Sequence, residues 1–185
     1  TRIALNARYM FNGYSVYMDS RDTPIGEHTE GKVPPYFTVL ASFAGAITAS
    51  RLTFLPRLYF GWTSAESGMM DFVHVLSAGG MVSGRYVDNQ IPFYGLTSGM
   101  QVYDGFLVSP QLDIRYRLNH KNYLTAKTAV LQNSQTFLNL VRQRPTAIAV
   151  GLEFGRKTVA GPFQMGFHWC DMSGFGLNLS FGYNF

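Results

Sequence analysis

Residues 174–185 alternate without a break. The odd positions are Phe175, Leu177, Leu179, Phe181, Tyr183 and Phe185, and the even ones Gly174, Gly176, Asn178, Ser180, Gly182 and Asn184. Successive side chains of a β-strand point to opposite faces. This order therefore gives one greasy, aromatic face and one small, polar face. A helix would scatter the same residues around its circumference. The chain is bound to build sheet, and the question is what each face of that sheet meets.

Seven further segments share the period. Residues 159–169 set Val159, Phe163, Met165, Phe167 and Trp169 against Gln164, Gly166 and His168. Residues 148–155 set Ile148, Val150, Leu152 and Phe154 against Ala149, Gly151, Glu153 and Gly155. A longer strand, 102–118, sets Phe106, Val108, Leu112, Ile114, Tyr116 and Leu118 against Gln111, Asp113, Arg115 and Arg117. A weaker one covers 123–131. Ahead of these lie 2–11, 37–47 and 52–62. In the first, Ile3, Leu5, Tyr9 and Phe11 oppose Asn6 and Arg8. In the third, Phe54, Leu58, Phe60 and Trp62 oppose Thr53, Arg57 and Tyr59. Pro56 argues against an uninterrupted ladder there, because proline has no N–H to donate.

Composition narrows the architecture. The chain is 46% hydrophobic but only 14% charged, where a soluble domain averages about 25% charged. No apolar run approaches the ~18–20 residues that a membrane helix needs. Apolar content without apolar runs fits either a soluble all-β domain or a transmembrane barrel, which hides its hydrophobicity in alternation. The net charge of +4 is scattered, with no Lys/Arg block, so no nucleic-acid partner is expected. The single cysteine, Cys170, can form neither an internal disulfide nor an all-cysteine metal site.

The connections are sorted by end. In order they are long (about 12–36), short (48–51), very long (about 63–101), short (119–122), medium (about 132–144), short (157–158) and short (171–173). Outer-membrane barrels pair tight periplasmic turns with long external loops. A soluble sandwich has no reason to sort its loops. In hydrocarbon every backbone polar group needs an internal partner, so only helices and closed barrels span. Residues 1–185 are therefore expected to be one all-β domain, a transmembrane antiparallel β-barrel of eight strands among the lipids of a bacterial outer membrane. Arg57, Arg115, Arg117, Gln164 and His168 would face its lumen, since arginine on the lipid face at mid-bilayer costs about 2–4 kcal/mol.

The terminal run Leu179-Ser180-Phe181-Gly182-Tyr183-Asn184-Phe185 resembles the C-terminal signal read by the barrel-assembly machinery, with Phe181, Tyr183 and Phe185 as its aromatic positions. A narrower resemblance begins at Gly79-Gly80 and Asp88-Asn89-Gln90-Ile91-Pro92-Phe93-Tyr94-Gly95. It continues through Gly151-Leu152-Glu153-Phe154-Gly155-Arg156-Lys157-Thr158, Gly161-Pro162 and Phe167-His168-Trp169. These motifs look like those of bacterial patatin-like outer-membrane proteins of the PlpD type. Such proteins join a patatin lipid acyl hydrolase domain and a POTRA domain to a barrel of the BamA/FhaC superfamily.

The resemblance implies a sixteen-stranded barrel of which this chain supplies the C-terminal eight strands, and hence a homodimer with half a barrel per chain. It implies a long loop folded into the barrel ahead of the last five strands, and a role as membrane anchor or translocator whose hydrolase lies outside this chain. Ser83-Gly84-Arg85-Tyr86 keeps the arginine–aromatic order of that loop with the glycine displaced. On the resemblance, Arg85 docks against an inward carboxylate, Asp113 or Glu153. Other readings of the residues are a standalone small barrel, a subunit of a larger outer-membrane assembly, a pore, or a soluble all-β binding module.

No catalytic site, metal or cofactor is expected in the chain. Gly95-Leu96-Thr97-Ser98-Gly99 sets its serine one place late for a nucleophile elbow. His28, His74, His120 and His168 lack metal-ligand spacing. Gly79-Gly80-Met81 lacks the Lys-Ser/Thr of a phosphate loop.

Overall fold

The computed structural model describes residues 1–10, 13–17, 29–33, 35–65, 76–80, 90–96, 100–101, 105–159 and 161–182. Its elements are β1 (Arg2–Met10), β2 (Gly13–Tyr17), β3 (Thr29–Val33), β4 (Tyr36–Ala44), β5 (Ile47–Ala49), β6 (Leu52–Thr63), β7 (Ser77–Ala78), β8 (Gln90–Ile91), β9 (Met100–Gln101), β10 (Gly105–Arg117), β11 (Asn122–Ser134), α1 (Phe137–Arg142), β12 (Ala147–Thr158), β13 (Gly161–Cys170) and β14 (Gly174–Phe181). Nine strands form one sheet in the order β1-β4-β6-β10-β11-β12-β13-β14, with β5 also on β6. Every pairing in it is antiparallel. Its eight long strands are the eight alternating segments, joined as a meander.

Three features depart from the sequence expectation. The sheet is open, with β1 and β14 at opposite edges, so a single chain is not a closed barrel. Eight strands closed on themselves enclose only side chains, and here a further stretch of backbone packs on one face. Secondly, the stretches expected as bare loops carry structure: a β2–β3 hairpin, the three-stranded β8-β7-β9 sheet and the six-residue helix α1. Thirdly, the second strand ends at Ala44, and β5 resumes its pairing to β6 in the same register. Pro56 explains this break. Gly45 N–H donates to the Pro56 carbonyl at 2.9 Å, and proline has no N–H to return the bond. Pro56 itself stays within β6, and the gap falls on its partner.

Register turns the alternation into two continuous surfaces. Ala126, Leu152, Phe167 and Leu177 form one cross-strand row, and Leu124, Phe154, Met165 and Leu179 the next. These rows belong to the exposed face: Leu152 is 49%, Phe167 59% and Leu177 57% accessible. On β10 the polar residues Ser109, Gln111 and Asp113 are buried while Leu112 and Tyr116 are exposed. An apolar face points out, and the covered face carries buried polar residues beside an apolar patch of Leu107, Ala129, Leu131, Ala147, Ala149 and Cys170. Soluble monomers seldom leave so large a contiguous apolar patch uncovered. Near the long connections this surface ends in an aromatic band. Ring centroids are 5.9 Å apart for Phe37–Trp62, 6.3 Å for Trp62–Phe106 and 6.0 Å for Phe106–Phe137.

On the covered face Tyr123 lies directly against Gly155, its cross-strand partner, with no room for a Cβ there. Its ring also carries the Arg115 guanidinium 4.7 Å from its centroid, and its hydroxyl accepts from Gln164 Nε2 at 3.3 Å. Gly155→Val is expected to expel the ring and cost about 1–3 kcal/mol, as overpacking does. Tyr123→Phe, which loses one hydrogen bond, is expected to cost about 1 kcal/mol. Urea unfolding of the folded protein, followed by circular dichroism, measures both.

Candidate functional site

The covered face holds two things, a docked segment and a charge ladder. The segment comprises residues 76–80 and 90–96. Leu76, Ala78, Ile91, Phe93, Tyr94 and Leu96 pack on Leu107, Ala129, Leu131, Ala147, Ala149 and Cys170 of the sheet. Small sheet residues make the room. A Cβ on Gly61 would lie 2.7 Å from Leu76 Cδ1. Gly95, at φ +97°, sits so close to β13 that a Cβ would be 2.6 Å from that of Cys170.

Gly79 and Gly80, singled out in the sequence, are the hub of this segment. Gly79 N–H donates to the Ile91 carbonyl at 2.9 Å and Gly80 N–H to that of Leu96 at 3.0 Å. The Gly79 carbonyl accepts from Gln90 Nε2 at 2.9 Å, and Phe93 N–H donates to the Gly80 carbonyl at 3.1 Å. Three bonds tie the segment to the sheet and to its β13–β14 turn. Gln111 Nε2 donates to the Pro92 carbonyl at 2.6 Å, Tyr94 Oη donates to the Ala149 carbonyl at 3.3 Å, and Ser173 Oγ donates to the Gly95 carbonyl. Burial pushes the Tyr94 hydroxyl far above its ordinary range, and the Asp113 charge adds to the shift. Tyr94 thus remains a neutral donor.

The ladder runs across four neighbouring strands with alternating sign: Arg57 on β6, Asp113 on β10, Lys127 on β11 and Glu153 on β12. Arg57 pairs with Asp113, and Lys127 Nζ lies 2.6 Å from Glu153 Oε2. Asp113 stands directly opposite Lys127 in the register. The two carboxylates are almost fully buried, at 1% and 5% exposure. Beside Asp113 a cavity of about 30 Å³ is lined by Gly80, Pro92, Tyr94 and Gln111, room for a single water. Among the described residues Asp113 Oδ1 has no hydrogen-bond partner.

Register places Arg57, Arg115, Arg117, Gln164 and His168 on this same face. Gln164 Oε1 accepts from Ser180 Oγ at 3.2 Å, and the His168 ring covers Gly176. Arg85, Tyr183 and Phe185 lie outside the described residues, while Phe181 is exposed on the outer face of β14. Both carboxylates named for Arg85 are engaged by cations of adjacent strands. Lys127 was missed in the sequence because its strand alternates weakly. The signal was a lone lysine between Ala126 and Thr128 at a polar-face position. Among the described residues no three His, Cys, Asp or Glu side chains gather as a metal site.

No known family, no curated protein and no solved structure matches this chain.

The arrangement fastens a segment to one face of the sheet. Replacing Arg57 by Met is expected to cost about 3 kcal/mol, because it strands a buried Asp113 charge. Arg57→Met with Asp113→Leu is expected to recover most of that loss, since a buried pair and its apolar replacement are nearly equivalent. Urea titrations of the single and double variants decide it.

Proposed function

We propose that this chain is half of the wall of an outer-membrane β-barrel, with the exposed apolar face against lipid and the segment-covered polar face lining the interior. The observation that carries this reading is the inversion: a row such as Ala126–Leu152–Phe167–Leu177 is exposed while Asp113 and Glu153 are buried. From Phe106 to Tyr116 the outer face of β10 covers about 34 Å of strand at ~3.4 Å per residue. At a tilt of about 40° that is about 25 Å, the height of the apolar band of such barrels. The aromatic band at one end fits the girdle that marks a membrane interface. Among the described residues no helix is long and apolar enough to cross a membrane, and strands are the other means of crossing.

The open edges argue for a second copy. β1 exposes Ile3 at 77% and Leu5 at 72%, and β14 exposes Phe175 at 90% and Leu179 at 60%. Unpaired edge groups are pairing templates in water and are not tolerated in hydrocarbon. Joining β14 of each chain to β1 of the other closes a barrel of sixteen long strands, with space for both docked segments. On the resemblance to patatin-like outer-membrane proteins, the proposed role is that of anchor or translocator for a lipid acyl hydrolase domain outside residues 1–185. The barrel-assembly machinery would then insert it through the strand that carries Phe181.

Cysteine pairs test the closure in a Cys170→Ala background. One cysteine is placed at Ala4 or Asn6 on β1 and the other at Asn178 or Ser180 on β14. Disulfide-linked species of twice the chain mass are expected after folding in detergent. An internal bond at single-chain mass would mean a self-closed small barrel. A detergent-independent monomer without such a bond would mean a soluble module.

A further inference from the structure

Among the described residues the tight-turn end of the sheet carries only positive side-chain charges. The residues around its three turns include Arg51, Arg117, Lys121, Arg156 and Lys157, and no Asp or Glu lies in 45–52, 117–122 or 156–163. Between the β10–β11 and β12–β13 turns and the end of β14 lies a cavity of about 690 Å³. Lys121, Arg156 and Lys157 line it together with Val159, Phe163 and Phe181, and His120 and Thr158 complete the lining. Lys157 N–H donates to the Lys121 carbonyl at 2.8 Å, which sets the two lysines side by side. Arg156 stands opposite Phe163, and Phe163 opposite Phe181, so the guanidinium stem shares a row with two outer-face rings. Val159 is fully exposed and Phe181 is 66% accessible. Among the described residues none of the three cations has an ion-pair partner.

Three unpaired like charges beside an apolar wall are complementary to an anion that carries hydrocarbon. We propose that this cavity binds an anionic glycerophospholipid of the leaflet at the tight-turn end. Its phosphate sits among Lys121, Arg156 and Lys157, and an acyl chain runs along Phe163 and Phe181. This rests on the membrane reading above. The position of Arg156 agrees with that placement. An outer-face arginine is costly at mid-bilayer but costs only about 0–1 kcal/mol near the interface, where its head can reach phosphates.

The full chain is folded into vesicles of phosphatidylcholine alone or mixed with phosphatidylglycerol, then extracted gently, and the co-purifying lipid is quantified by native mass spectrometry. Wild type is expected to enrich phosphatidylglycerol. Lys121→Gln/Arg156→Gln/Lys157→Gln is expected to lose that preference by roughly tenfold or more, each cation near an anionic headgroup contributing to retention. Arg142→Gln, at the opposite end, is expected to keep it. Lys121→Gln and Lys157→Gln alone, both at exposed turn positions, report the same loss in smaller steps should the triple variant fold poorly. Insertion into both vesicles with no enrichment, or enrichment unchanged by the variants, overturns the lipid site and leaves the barrel reading intact. Displacement of the lipid by inorganic phosphate at matched concentration also overturns it, since the acyl chain would then contribute nothing. Failure to insert into either vesicle overturns both readings.

Discussion

A sheet that turns its leucines and phenylalanines outward must fill its other face by some means other than a second sheet. In this chain the filler is its own segment between β6 and β10. Leu76, Ile91 and Phe93 supply the apolar volume that a sandwich would draw from a facing sheet. The sheet answers with small residues, Gly61, Ala129, Ala147 and Ala149, where that segment lies. Much else follows from this contact. It buries the polar face, forces the charges there into pairs, and occupies the space that closure of eight strands would need.

The buried charges show how that face tolerates low dielectric. An isolated carboxylate there would be neutralised or expelled. Arranged as Arg57, Asp113, Lys127 and Glu153 on neighbouring strands, each charge has a partner of opposite sign. Such a pair contributes little net stability, because desolvation offsets attraction. Its structural value lies in register, since a slip by one residue would carry an arginine to the exposed apolar face.

The sheet was legible in the sequence because its period is simple and each strand crosses the whole sheet. All eight long strands could be read from alternation, and the faces of six of them, down to His168 pointing opposite to Trp169. The connections were less legible. Each of β7, β8 and β9 is two residues long, too short to display a period. Helix α1 has six residues and no side-chain cap bond at Thr136, so it lacks the usual start signal. Pro56 misled in a specific way: the sequence shows that a ladder bond is missing, but not which strand yields. Of the site, the carboxylates Asp113 and Glu153 stood out as polar residues in apolar strands. Their partners depend on diagonal contacts between strands, and sequence spacing carries no record of those.

The pairing pattern bears on how firmly the segment is held. On the covered face Arg57 pairs with Asp113 and Lys127 with Glu153, each pair joining strand to strand. The segment itself is held by apolar packing and by neutral hydrogen bonds from Gln111, Tyr94 and Ser173. Withdrawing residues 76–80 and 90–96 would therefore leave Asp113 and Glu153 with their strand partners. The cost would be lost packing and a few neutral bonds of about 1 kcal/mol each. These two pairs, both within the sheet, can hold the register of β6, β10, β11 and β12 whether those residues are seated or not. The two ion pairs and the docking of residues 76–80 and 90–96 thus rest on different contacts.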